Sequence, residues 1–169
     1  MEFLDAVQTA IDFEKNLTDF YSKSIQEIDD DSGKSILRKL ANEESAHYQY
    51  LIEKKKEWLE KGEVNIYDLS KVKKASLKMK KELKIMKEEL KNRTNDYRVE
   101  ILLKAYENEK RSYQFYLEMT EKFSDPNKQQ LFKEFLEMEK SHIMIVQAEI
   151  DSINQNGFWY DSFEINLEE

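Results

Sequence analysis

Apolar residues recur at alternating three- and four-residue intervals along most of this chain. From the amino terminus they run Leu4, Val7, Ile11, Leu17 or Thr18, Tyr21, Ile25 and Ile28, which paints one face of a helix. The stripe stops at Asp29-Asp30-Asp31-Ser32-Gly33. A second runs Leu37, Leu40, Leu51 and Trp58 and ends at Lys61-Gly62, a lysine and a glycine suited to a helix C-terminus. A third, Val99, Leu102, Tyr106, Tyr113, Tyr116 and Thr120, closes at Ser124-Asp125-Pro126-Asn127, and a fourth, Phe132, Phe135, Val146, Ile150 and Ile153, runs to Asn156-Gly157. Helices joined by short turns are antiparallel neighbours. The pattern therefore predicts an all-α, four-helix bundle of two hairpins with one long crossover. Within a single domain over 1–169, hairpin one covers 3–61, the crossover 62–95, hairpin two 96–156 and an aromatic tail 157–169.

The crossover is lysine-rich: residues 71–91 hold nine lysines against Glu82, Glu88 and Glu89, a local net of +6. Val72, Ala75, Met79, Leu83, Met86 and Leu90 keep helical spacing, so the segment reads as a further helix lying along the bundle. Its charge balances an acidic bundle; the other reading is a docking surface for an acidic partner.

Composition narrows the chemistry. Three glycines and one proline in 169 residues cannot supply the turns of a sandwich or barrel. The absence of cysteine removes disulfides, thiolate zinc sites, iron–sulfur clusters and cysteine nucleophiles, and leaves oxygen and nitrogen as metal donors. A net charge of −8 and a pI near 5.0 argue against nucleic acid or an anionic membrane as partner. The acidic first residues, MEFLDAVQTAIDFEK, do not read as a signal peptide, and the expectation is a cytoplasmic protein.

The two hairpins repeat each other at a constant offset of 95 residues. Ala10-x-x-x-Glu14-Lys15 falls on Ala105-x-x-x-Glu109-Lys110, Phe20-Tyr21 on Phe115-Tyr116, Asp30 on Asp125, Glu44 on Glu139 and His47 on His142. The chain has two histidines, each three residues after a glutamate, and positions i and i+3 share a helix face. Glu44 and His47 fill the gap between Leu40 and Leu51; Glu139 and His142 fill that between Phe135 and Val146. Glu14 and Glu109 also occupy stripe positions, so four carboxylates and two imidazoles converge on the core.

Four buried carboxylates need cationic compensation, since each costs several kcal/mol even after relaxation. Two divalent metals would bring it and would use the imidazoles as neutral ligands. One glutamate from each of two helices and Glu-x-x-His from each of the other two is the donor set of carboxylate-bridged di-metal bundles. Mixed oxygen and nitrogen donors suit iron, with manganese or zinc as alternatives. Tyr21 and Tyr116, two turns after Glu14 and Glu109, lie on the same faces, either as hydrogen-bond donors to the ligand carboxylates, as redox neighbours of the site, or as core aromatics. Glu43, Glu107 and Glu137 lie about 100° or more around their helices and read as solvent-facing.

The doubled Ala-x-x-x-Glu-Lys, Phe-Tyr and Glu-x-x-His pattern resembles the rubrerythrin-related branch of the ferritin-like superfamily. That resemblance implies terminal ligands at Glu14 and Glu109, bridging ligands at Glu44 and Glu139, and one ion on each of His47 and His142. It implies a non-haem di-iron centre acting on peroxide or dioxygen. Gly157-Phe158-Trp159-Tyr160-Asp161 with Phe163-Glu164 looks like the aromatic end of such proteins, and reads equally as a plug on the bundle's end. Two departures follow. Peroxide-reducing members carry a glutamate three residues before the third-helix ligand, where this chain has Tyr106, and they carry a cysteine-ligated rubredoxin module, which a cysteine-free chain lacks. Electrons would then come from an external donor such as a rubredoxin-type protein. The alternatives are an iron-binding or ferroxidase module without turnover and an interaction scaffold using the lysine-rich crossover. One chain can complete the site, and exchange of hairpins would give a homodimer.

Overall fold

The computed structural model describes residues 1–66, 69 and 96–160. Four helices carry the fold: α1 over Phe3–Glu27, α2 over Asp31–Lys61, α3 over Tyr97–Lys122 and α4 over Pro126–Asn156. Among the described residues there is no strand, and the chain is an all-α four-helix bundle. The helix proposed within the crossover, with its lysines, lies outside the described residues, as do Asp161, Phe163 and Glu164 of the tail.

The helix ends follow local chemistry. Asp30 and Asp125, equivalent in the repeat, cap α2 and α4 by accepting from the backbone N–H of Gly33 at 2.8 Å and Lys128 at 3.0 Å. Pro126 opens α4, where a missing N–H costs nothing. Gly62 and Gly157, 95 residues apart, close the same two helices at φ 71° and 79°, conformations that a Cβ disfavours. The internal repeat thus extends to the caps.

α1 packs on α2, α3 on α4, and the hairpins meet through α1 and α3. The apolar core falls into two clusters. One contains Phe3, Val7, Ile11, Leu51, Tyr116, Phe132 and Phe135; the other contains Leu17, Tyr21, Leu37, Leu40, Leu102, Val146 and Ile150. Each helix passes from one cluster to the other at its site glutamate: α1 at Glu14, α2 at Glu44, α3 at Glu109 and α4 at Glu139. A polar band is therefore sealed between two apolar halves.

The stripes differ from expectation at their edges. Phe3 and Ala6 are buried while Leu4 is half-buried, and Tyr106, Tyr113 and Trp58 are also only half-buried. After α4 the chain turns back on the bundle end. Trp159 joins the second cluster and covers Gly33, where an added Cβ would stand 2.4 Å from the indole Cε2. Ser152 Oγ donates to the Phe158 carbonyl at 2.9 Å, Tyr160 N–H to Glu149 at 2.8 Å, and Arg98 to the Gly157 carbonyl at 3.0 Å. No described helix is long and apolar enough to cross a membrane.

Candidate metal centre

All six residues singled out by spacing are buried in one place. Glu14, Glu44, Glu109 and Glu139 are fully buried, and His47 and His142 are 3% and 1% exposed. Glu44, His47, Glu139 and His142 can each offer one ligand atom, all within 4.8 Å of one another. The other two glutamates flank this group. His47 Nδ1 lies 3.2 Å from both Glu14 Oε2 and Glu44 Oε2. His142 Nδ1 lies 2.6 Å from Glu44 Oε1 and 3.7 Å from Glu109 Oε2. Glu44 therefore spans the cluster, one oxygen toward each imidazole. The two rings stack, with centroids 5.4 Å apart and planes 14° from parallel.

The tyrosines cross between hairpins. Tyr21 on α1 donates to Glu109 Oε1 on α3 at 2.5 Å, and Tyr116 on α3 donates to Glu14 Oε1 on α1. Each hydroxyl holds one carboxylate oxygen and leaves the other facing a histidine. Spacing placed both tyrosines on the right faces but gave no sign that each serves the opposite hairpin. Both are also core aromatics, fully buried.

Glu43 corrects the sequence expectation. It is half-buried rather than solvent-facing, and its Oε2 lies 3.0 Å from His142 Nε2. Glu137 is half-buried as well, whereas Glu107 is exposed as expected. A bundle helix packs against two neighbours, so its buried sector is wider than one stripe. The signal for Glu43 lay in the repeat: its counterpart 95 residues on is Met138, an apolar residue at an interior position.

The electrostatics are those of like charges buried together beside two imidazoles. Burial, then Glu44, raises the Glu14 carboxyl to about 8. Burial, reinforced by Glu14, Glu44 and Glu109, pushes Glu139 well above the carboxylate range, and burial with Glu44 raises Glu109. Burial works to raise Glu44 too, but His142 and His47 together hold it well below. Burial opposes protonation of His47, yet Glu14 and Glu44 carry it up to about 9; His142 rises well above its usual value against the same penalty, through Glu44 and Glu109. No lysine or arginine pairs with the six side chains among the described residues.

The donor atoms fit metal ions. Glu44 Oε1, Glu109 Oε2, both oxygens of Glu139 and His142 Nδ1 are buried without a well-aligned hydrogen bond; Glu44 Oε1 and His142 Nδ1 lie 2.6 Å apart but are not oriented to share a proton well. Orphaned polar atoms are rare in folded proteins and costly. Here five converge on one sealed cluster whose four carboxylates and two imidazoles match the oxygen and nitrogen preference of iron or manganese.

No curated protein and no solved structure matches the chain. A family model described as Rubrerythrin matches residues 5–150, a span that runs from the start of α1 into the last turns of α4 and takes in all six clustered side chains. With that coverage and this bundle, the chain belongs to the rubrerythrin family.

Proposed function

We propose that Glu14, Glu44, His47, Glu109, Glu139 and His142 hold two iron ions and that the protein is an oxidoreductase acting on peroxide or dioxygen. The observation that carries this reading is the set of five orphaned donor atoms in one buried cluster. Glu14 with His47 would hold one ion and Glu109 with His142 the other, with Glu44 and Glu139 between them available to both. When bound, a pair of ferrous ions would supply two electrons, which with two protons reduce peroxide to water or dioxygen to peroxide.

The chain's own residues set the conditions. Tyr116 and Tyr21 fix Glu14 and Glu109 by one oxygen each, so the second oxygen is held toward the centre. Both histidines turn Nδ1 inward, which requires that atom deprotonated on binding. The two apolar clusters exclude water from above and below, which strengthens every electrostatic contact between them. A cysteine-free chain has no thiolate-bound redox group, so repeated turnover takes electrons from an external donor such as a rubredoxin-type protein.

A second reading, stoichiometric ferroxidase chemistry without turnover, is favoured by one residue. Tyr106 stands three residues before Glu109, where peroxide-reducing relatives carry a glutamate, and it is half-buried beside Lys110, whose Nζ is 5.5 Å from its ring. Stopped-flow mixing of the anaerobic, iron-loaded protein with peroxide tests both. Sustained peroxide loss with excess reductant supports the oxidoreductase; one stoichiometric oxidation and no further loss supports the ferroxidase; no oxidation overturns both.

A further inference from the structure

The internal repeat makes the two halves of the cluster nearly interchangeable, and it departs from symmetry at the residue before each Glu-x-x-His pair. That residue is Glu43 in hairpin one and Met138 in hairpin two. Glu43 reaches across from α2 to α4 and accepts from His142 Nε2 at 3.0 Å. An imidazole whose Nε2–H is given to a carboxylate is locked in the tautomer that leaves the Nδ1 lone pair free. The same hydrogen bond fixes the ring's orientation and raises its basicity as a ligand. In His142 that Nδ1 is aimed into the cluster, 2.6 Å from Glu44 Oε1 without a well-aligned hydrogen bond to it.

His47 has no such support. Its hydrogen bonds among the described residues both run through Nδ1, to Glu14 and Glu44. The residue equivalent to Glu43 in the other hairpin is a buried thioether, a weak acceptor without charge. One imidazole is thus oriented from behind by a carboxylate, and the other is not.

We propose that the two metal positions are inequivalent: the position built by Glu109 and His142 binds more tightly and fills first, with Glu43 as the positioning residue that makes it so. This rests on the di-metal reading above. It is tested with Mn(II), which binds without being oxidised, titrated into the metal-stripped full chain and followed by calorimetry and electron paramagnetic resonance. The wild type should bind two ions in two steps, the first tighter by about tenfold or more. At one equivalent its spectrum should come chiefly from isolated Mn(II) in one environment.

Glu43→Met, which gives hairpin one the residue hairpin two carries, should weaken the tighter step by about 10–100-fold and leave the other within about twofold, so that the steps merge. Glu43→Gln keeps an acceptor oxygen but not its charge, and should fall between. Because Glu43→Gln preserves shape, a melting curve matching the wild type establishes that it folds. A folded Glu43→Gln and a Glu43→Met with both steps and the one-equivalent spectrum unchanged overturn the proposal, as does a wild type with two equal steps. Two ions bound without any effect of Glu43 defeat this inference alone; a wild type that binds no Mn(II) removes the di-metal reading with it.

Discussion

Glu139 is the side chain that the fold treats worst in the absence of a cation. Both its oxygens are buried without a partner, and burial followed by three neighbouring glutamates drives its carboxyl toward the protonated form. A neutral amide of the same shape avoids that cost. Metal-free Glu139→Gln should therefore melt above the metal-free wild type at alkaline pH while holding less metal, a trade of stability against function that paired thermal melts and metal analysis will reveal. A variant that melts lower would show that Glu139 is a structural group. At this scale the burial of the six side chains was legible because carboxylates and imidazoles in core positions violate the apolar stripe. That of Glu43 was not, because a position 100° off the stripe reads as solvent until the neighbouring helix is known. Nor can spacing tell Nδ1 from Nε2: the inward turn of Nδ1 depends on the rotamers packing allows.

The elements are held by a few specific residues at their ends. Gly33 lies in the first turn of α2 and carries no side chain because Trp159 occupies that space. In Gly33→Ala the new Cβ meets ring atoms of a large buried side chain, which should cost about 1–3 kcal/mol by overpacking. Chemical denaturation measures it, and in the background of Trp159→Ala, itself destabilising, the penalty at Gly33 should vanish. An unchanged penalty in that background would mean that the tail does not press on α2. Helix identity and the helix ends at Gly62 and Gly157 were readable from sequence, whereas Asp30 and Asp125 stood out there only as equivalent positions of the repeat and their capping bonds come from the structure. The seat of Trp159 was not, because it depends on contact between residues 126 positions apart.

Across the whole molecule, burial of four carboxylates and two imidazoles makes stability a function of pH. Glu14 rises from 4.5 to about 8 on folding and His47 from 6.5 to about 9, so the metal-free fold binds more protons than the unfolded chain. Their contribution is fully present below the unfolded values and is lost as pH rises through the folded ones. Glu44 acts in the opposite sense, its contribution being present above the ordinary carboxylate range and lost in acid. The melting temperature of the metal-free protein should thus fall between about pH 6.5 and 9, and saturation with metal, which displaces those protons, should flatten the slope. A metal-free protein whose melting temperature rises over that interval would contradict the charge assignment. The four-helix outline and its core were legible because the pattern repeats over 95 residues; the division of that core into two clusters with the donors between them required the helices to be placed side by side.

The central claim is that these six side chains form a two-metal centre within one chain. The most direct test is the iron content of the full chain after anaerobic loading with ferrous ion and removal of excess, beside Glu44→Ala and Glu139→Gln treated identically. The account predicts two irons per chain in the wild type and fewer in both variants. A wild type that retains no iron, or variants that retain as much as the wild type, would contradict it.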